Sequence, residues 1–252
     1  MRLLSLALAA ALLLACRPGL AAGQTVRYLI DNQPFEGYYQ APHPHAPLLV
    51  LVHDWDGLTD YERQRADMLA QLGYRVFALD LFGEGIRPTA EADKRRLTGA
   101  LYADRTLLRH RLQAGVAAAE AQGDSPTPRV LLGYCFGGAA VLEAARSGLP
   151  AQGFVSFHGG LATPPGQDYR QTRGSVLVFH GSADDAVPLT DFAELASRLE
   201  QAGVPHEMTT YSGAPHAFSV FGSPRYHAEA DRKSWQRFTA YLQETLPLSA
   251  VR

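Results

Sequence analysis

The stretch Arg129–Gly138, RVLLGYCFGG, decides how this chain is read. Val130, Leu131 and Leu132 form an unbroken apolar run, the mark of a strand covered on both faces as in a parallel sheet. The run ends at Gly133, a cysteine follows two residues later, and Gly137 and Gly138 come next. Glycines at 133 and 137 let the chain double back sharply from strand to helix, because a side chain at either would clash with the returning backbone. A turn of this G-x-C-x-G form lifts the thiol above the sheet. It also sets the Phe136 N–H at the start of a helix, where the dipole favours negative charge. The competing reading of Cys135 is a small buried residue that only fills space.

Working outward, Leu48–Val52, Arg75–Leu79, Phe154–Phe157 and Val176–Phe179 repeat the same apolar pattern, and Met208–Tyr211 reads as a last strand. Thr25–Ile30 and Phe35–Gln40 alternate around the turn D-N-Q-P and read as a hairpin. Helical segments lie between the strands. Thr59-Asp60-Tyr61-Glu62 is a capping box opening a helix that ends at Leu72-Gly73. Residues 102–121 carry Leu108, Leu112, Val116 and Ala119 on one face, and residues 190–202 and 226–245 supply two more helices. Strand and helix alternating across short connections predict one doubly wound α/β domain over residues 24–252, with a mostly parallel sheet and helices on both faces. In such sheets chemistry gathers at the C-terminal ends of the strands.

The 252 residues are 46% hydrophobic and 19% charged, with a net charge of −2. That balance gives no basic field for nucleic acid and points to a soluble domain with a small-molecule or peptide partner, and a monomer is expected. Met1-Arg2 followed by the apolar segment Leu3–Ala15 has the layout of a secretory signal, assigned to residues 1–23. Two processing routes stay open. Leu13-Leu14-Ala15-Cys16 resembles a lipoprotein box with Cys16 as the lipid anchor, and Gly19–Ala22 offers small residues to an ordinary signal peptidase. Either route exports the domain, free in the periplasm or tethered to the bacterial envelope, and the membrane enters only through this leader. Where thiols tend to be oxidised, an unpaired Cys135 is expected to be buried or used. No helical His-Glu-x-x-His occurs, and His43 and His45 lie in a proline-rich loop, so neither metal nor organic cofactor is expected.

Four strand ends carry reactive or polar groups: His53–Leu58, the Cys135 turn, His180–Pro188 and Ser212–Phe218. Cys135, Asp184 and His216 follow one another at these ends in the order nucleophile, acid, histidine. A thiol needs a neighbouring base to become the thiolate that attacks a carbonyl carbon, and His216 is the candidate. An acid is needed to hold the imidazole in the useful tautomer. Asp185 competes for that role, but the loop GSADDAVP resembles hydrolase acid loops in which the acid stands four residues before proline, which selects Asp184. His53, His158 and His180 are expected to satisfy loop backbone or line the pocket.

With these residues in view, the sequence resembles the dienelactone hydrolase family over nearly all of residues 24–252. The resemblance is carried by HDWDGLTDYER (residues 53–63), by residues 66–85, by GYCFGG, GSADDAVP and APHAF, and by AEADRKSWQRF (residues 228–238). It implies an α/β-hydrolase fold and a hydrolase of carboxylic esters or lactones acting through an acyl-enzyme on Cys135. It also implies a supporting carboxylate at Asp54, one methylene shorter than the family's glutamate, and an oxyanion hole from the N–H groups of Trp55 and Phe136. Where the family's founding enzymes hold a substrate carboxylate with two arginines, this chain has Val220 and Glu84, so a less acidic ester or lactone is expected. Arg87 is the nearby candidate to replace that grip. The alternative of another class is a non-catalytic binding protein on the same fold.

Overall fold

A computed structural model describes residues 22–123 and 129–248; the leader, with Cys16, lies outside the described residues. Eight strands form one sheet in the order β1-β2-β4-β3-β5-β6-β7-β8. They are β1 Gln24–Ile30, β2 Gln33–Gln40, β3 Leu48–Val52, β4 Arg75–Leu79, β5 Arg129–Tyr134, β6 Gly153–Phe157, β7 Ser175–Gly181 and β8 His206–Tyr211. Only β2 runs against its neighbours; every pairing from β4 to β8 is parallel. All eight expected strands are present. The hairpin turns at Asp31 and Asn32, both at positive φ (49° and 60°), as a two-residue turn between twisted strands requires.

The helices are α1 Asp60–Gln71, α2 Glu91–Ala103, α3 Arg105–Glu120, α4 Phe136–Arg146, α5 Leu189–Gln201 and α6 Ala228–Thr245. The capping box of α1 forms as expected, with both reciprocal hydrogen bonds. The single helix expected over residues 102–121 is a correction: the chain breaks at Asp104 (φ −110°, ψ 85°). There the Asp104 side chain accepts from Leu107 N–H and caps α3. The segment before the break, α2, was not expected at all; it buries only Thr98 and Leu101, which leaves little apolar stripe to read.

Alternating side chains of the central strands build two cores. Leu48, Val50, Val52, Leu131 and Phe154 pack with residues of α3, α4 and α5. Leu49, Leu51, Val130, Leu132 and Val155 pack with α1 and α6 on the other face. The register sets Val52 beside Gly133, Tyr134 beside Phe157 and Phe157 beside Phe179. The loops after β3, β5, β6 and β7 therefore leave the sheet at one level. Among the described residues no helix is long and apolar enough to cross a membrane.

Candidate active site

At the end of β5 the backbone of Cys135 takes φ 50° and ψ −113°, a conformation that costs an L residue about 1–3 kcal/mol unless its surroundings impose it. They do. Cys135 N–H donates to Phe157 O at 3.0 Å, and α4 begins at the next residue with every one of its residues buried. The flanking glycines are needed for close approach. A Cβ on Gly133 would lie 2.3 Å from the Gly137 backbone, and one on Gly137 would lie 2.2 Å from Val52 O. The helix thus seats on the end of β3, and the thiol stands above the sheet, partly exposed.

His216 Nε2 lies 3.1 Å from Cys135 Sγ, and its Nδ1 lies 2.9 Å from Asp184 Oδ2. Asp184 Oδ1 accepts from the N–H groups of Ala186 and Val187, both at 2.9 Å, which fixes the carboxylate. Ala183 N–H donates to Ala214 O at 3.0 Å, so the acid and histidine loops are tied together. Asp185 is exposed in the same turn, and Asp184 is the carboxylate that meets the imidazole. Burial opposes a charge on His216, but the hydrogen bonds to Asp184 and Cys135 outweigh it and hold its pKa up to about 10. Burial likewise opposes the charge on Asp184, and the His216 contact and the two backbone donors win, lowering its pKa.

Asp54 is only 8% exposed at the end of β3. Its Oδ1 accepts from Asp56 N–H at 3.0 Å, whereas the hydrogen bond to the thiol comes from the imidazole. Burial, then a hydrogen bond with Asp56, then the charges of Glu62, Asp56 and Cys135 push the Asp54 carboxyl well above its usual range. Glu62 of α1, fully buried, accepts from Thr59 and from Asp54 N–H at 3.4 Å, and burial pushes it up to about 7. Lys94 of α2 pairs with Asp56 at 3.0 Å and lies over the Trp55 ring. Tyr102 of the same helix packs edge-on against Phe136. Sequence reasoning missed Lys94 because it missed α2, and it set Tyr102 at the start of an expected helix without giving it a place at the site. It read Glu62 as a cap without seeing that the cap is buried beside the site.

The other histidines separate by role. His53 Nδ1 meets Asp54 O at 2.6 Å and Nε2 accepts from Leu81 N–H at 3.0 Å, so the ring serves loop backbone as expected. His158 and His180 are buried; His158 packs against His216 itself, and His180 lies 4.0 Å from Asp184. Glu84 pairs with Arg27 at 2.6 Å. Arg87 does not replace the missing grip: its donors go to Glu36, to Ile86 O and to Leu58 O, which pin the loop.

The dienelactone hydrolase family model matches residues 35–246. The chain belongs to that family. Membership makes it a hydrolase of ester or lactone bonds on the α/β-hydrolase fold. The carboxymethylenebutenolidase of Rhodococcus opacus is 27% identical over 213 residues, spanning 81% of this chain and 83% of its own. The solved structure of m3DLH superposes with a TM-score of 0.82 at 28% identity, covering 89% of this chain and 98% of its own. A second solved relative is the dienelactone hydrolase-like promiscuous phosphotriesterase P91 from metagenomic libraries. It superposes with a TM-score of 0.81 at 29% identity, over 90% of this chain and 98% of that one.

Proposed function

We propose that this member of the family is an exported hydrolase of weakly acidic carboxylic esters or lactones, working through a Cys135–His216–Asp184 triad. The observation that carries the reading is the unbroken line from Asp184 through His216 to Cys135, with contacts of 2.9 and 3.1 Å. His216 takes the thiol proton as the sulfur attacks, and Asp184 stabilises the imidazolium that forms and fixes the tautomer of the ring. The Cys135 sulfur adds to the carbonyl carbon, and the N–H groups of Trp55 and Phe136 receive the charge that develops on oxygen. Collapse breaks the bond to the leaving oxygen, which takes the proton from His216 Nε2 and departs as an alcohol, or stays tethered when the substrate is a lactone. The thioester is then opened by water, whose proton passes to His216, and the acid leaves as the thiolate re-forms.

Asp54 supports this cycle as a buried carboxyl at the end of β3. Burial and its carboxylate neighbours raise its pKa, which disfavours a second negative charge beside the sulfur. With Val220 and Glu84 at the family's arginine positions and Arg87 committed elsewhere, no guanidinium fork is offered there to a substrate carboxylate. On this reading the leader sends the enzyme to the periplasm or, through Cys16, to the envelope, and the enzyme acts as a monomer that needs no cofactor. Hydrolysis of aryl acetates, simple lactones, dienelactones and an activated phosphotriester, each beside a Cys135→Ala control, tests the reading. Turnover of a neutral ester or lactone that vanishes in the control supports it. A panel left untouched, with Cys135 still open to alkylation, counts against it.

A further inference from the structure

Behind the triad lies a buried polar chain that the reaction itself does not use. His158 Nε2 is 2.8 Å from Ser219 Oγ, and Ser219 Oγ is 2.8 Å from Tyr61 Oη. Arg65 donates from Nε to Tyr61 Oη at 3.3 Å and from Nη2 to Ser219 O at 2.8 Å, and pairs with Asp231. Tyr226 donates to the other oxygen of Asp231 at 3.0 Å. His158 and Ser219 are wholly buried. Four elements meet here: the end of β6, α1, the loop that carries His216, and α6.

Two features tie this chain to the site. First, Ser219 stands three residues after His216, and between them Ala217 is held at φ 60°. Among the described residues five that are not glycine have positive φ. Asp31 and Asn32 form the hairpin turn, and the other three are Cys135, His158 and Ala217. Strained backbone of this kind persists only where its surroundings over-determine it. Second, the His158 ring meets the His216 ring edge to face, with centroids 5.5 Å apart and planes at 66°.

We propose that the His158–Ser219–Tyr61 chain, clamped by Arg65, is a positioning device that holds the His216 imidazole in line with Cys135 and Asp184. On its N-terminal side the His216 loop is fixed by Ala183 N–H on Ala214 O. The chain fixes the other side at Ser219, whose Oγ meets His158 and Tyr61 and whose carbonyl accepts from Arg65. Arg65 can only donate, whereas the Tyr61 and Ser219 hydroxyls each donate and accept, so hydrogen bonds link Arg65 to His158 Nε2 without a break. The charged and titratable groups around the two imidazoles include Cys135, Asp184 and His180 on the site side, and Tyr61, Tyr134, Arg65 and Asp231 on the far side. Burial first, and then the nearby charge of His216, hold the His158 pKa well below its usual value, so it remains a neutral prop.

The inference rests on the triad reading, and its test separates the two. Iodoacetamide alkylation of Cys135 is followed from pH 5 to 9 in the full chain, in Tyr61→Phe, in Ser219→Ala and in the double variant, together with kcat, KM and Tm. Wild-type protein is expected to react faster than a His216→Ala control over this range, the mark of a thiol assisted by a neighbouring base. Ser219→Ala is expected to lower that excess rate and kcat by about 10-fold or more, with KM within about 2-fold. The double variant is expected to match Ser219→Ala, since groups acting through one point do not add. If Ser219→Ala does not fold, Tyr61→Phe decides by the same readouts. Wild-type alkylation no faster than that of His216→Ala fails the triad. A wild type faster than His216→Ala, with folded Ser219 and Tyr61 variants of unchanged excess rate and kcat or with effects that simply multiply, overturns the positioning role alone.

Discussion

Replacing Gly137 by alanine sets two physical effects against each other. Gly137 is the second residue of α4, and in an exposed helix interior alanine there would gain about 1 kcal/mol over glycine. The new Cβ, however, would sit 2.2 Å from Val52 O and 2.5 Å from His53 O, both backbone atoms of a central strand and its loop. Neither can swing aside as a side-chain tip could, so α4 must retreat by about 1 Å to restore ordinary contact. Overpacking of this kind costs up to about 3 kcal/mol, which outweighs the propensity gain and leaves a net loss of about 2 kcal/mol. For a domain of this size that is a fall in Tm of about 4–8 °C. The retreat also carries Phe136 N–H and the Cys135 backbone with it, and a misplacement of about 1 Å is worth about 100-fold in rate. Thermal unfolding followed by circular dichroism, with ester turnover on the same samples, measures both. A variant as stable and as active as the wild type would show that α4 is not wedged against β3 and would refute the packing argument.

Asp54→Asn keeps an acceptor for Asp56 N–H and a donor toward the Asp56 carboxylate while removing a carboxyl whose pKa burial raises. Such a group contributes its stability below the unfolded pKa and loses it as pH rises, so the variant is expected to gain about 1 kcal/mol at pH 7 and nothing near pH 3 in urea titrations. Asp184→Asn is expected to lower kcat by about 100- to 10,000-fold with little change in KM. The imidazolium of wild-type His216, with a pKa of about 10, contributes stability that is complete below about pH 6.5 and lost as pH rises through 10. Asp184→Asn should flatten that alkaline loss, which a pH series of chemical denaturations reads directly. Glu143 is buried among Arg105, Arg109 and Arg146, so Glu143→Gln should cost about 3 kcal/mol; an unchanged Tm would contradict that cluster's role.

The central strands β3 to β7 were legible because each carries a short apolar run, and a doubly covered sheet writes that pattern without interruption. The triad was legible because its members sit at strand ends in a fixed chain order, and the glycines around Cys135 signal a turn no larger residue fits. What could not be read depends on distant parts meeting. Arg87 carries no mark in the sequence that its donors go to Glu36 and to loop carbonyls. The helix Glu91–Ala103 hides because Lys94, Arg95 and Arg96 interrupt its weak stripe, and yet Lys94 reaches Asp56 across 38 residues. Ser219 looks like an ordinary loop serine, and its partners lie 61 and 158 residues away.

The parts of the site differ in how firmly they are mounted. Cys135 and the acid loop spring from strands with neighbours on both sides, whereas His216 hangs from β8, the outermost strand, whose residues are mostly half-exposed. Edge elements open at lower free energy than the centre of a sheet. Gentle denaturant should therefore detach the base while the nucleophile still stands on its elbow. The enzyme would fall silent before its spectrum reports unfolding, and would recover on dilution without having to refold.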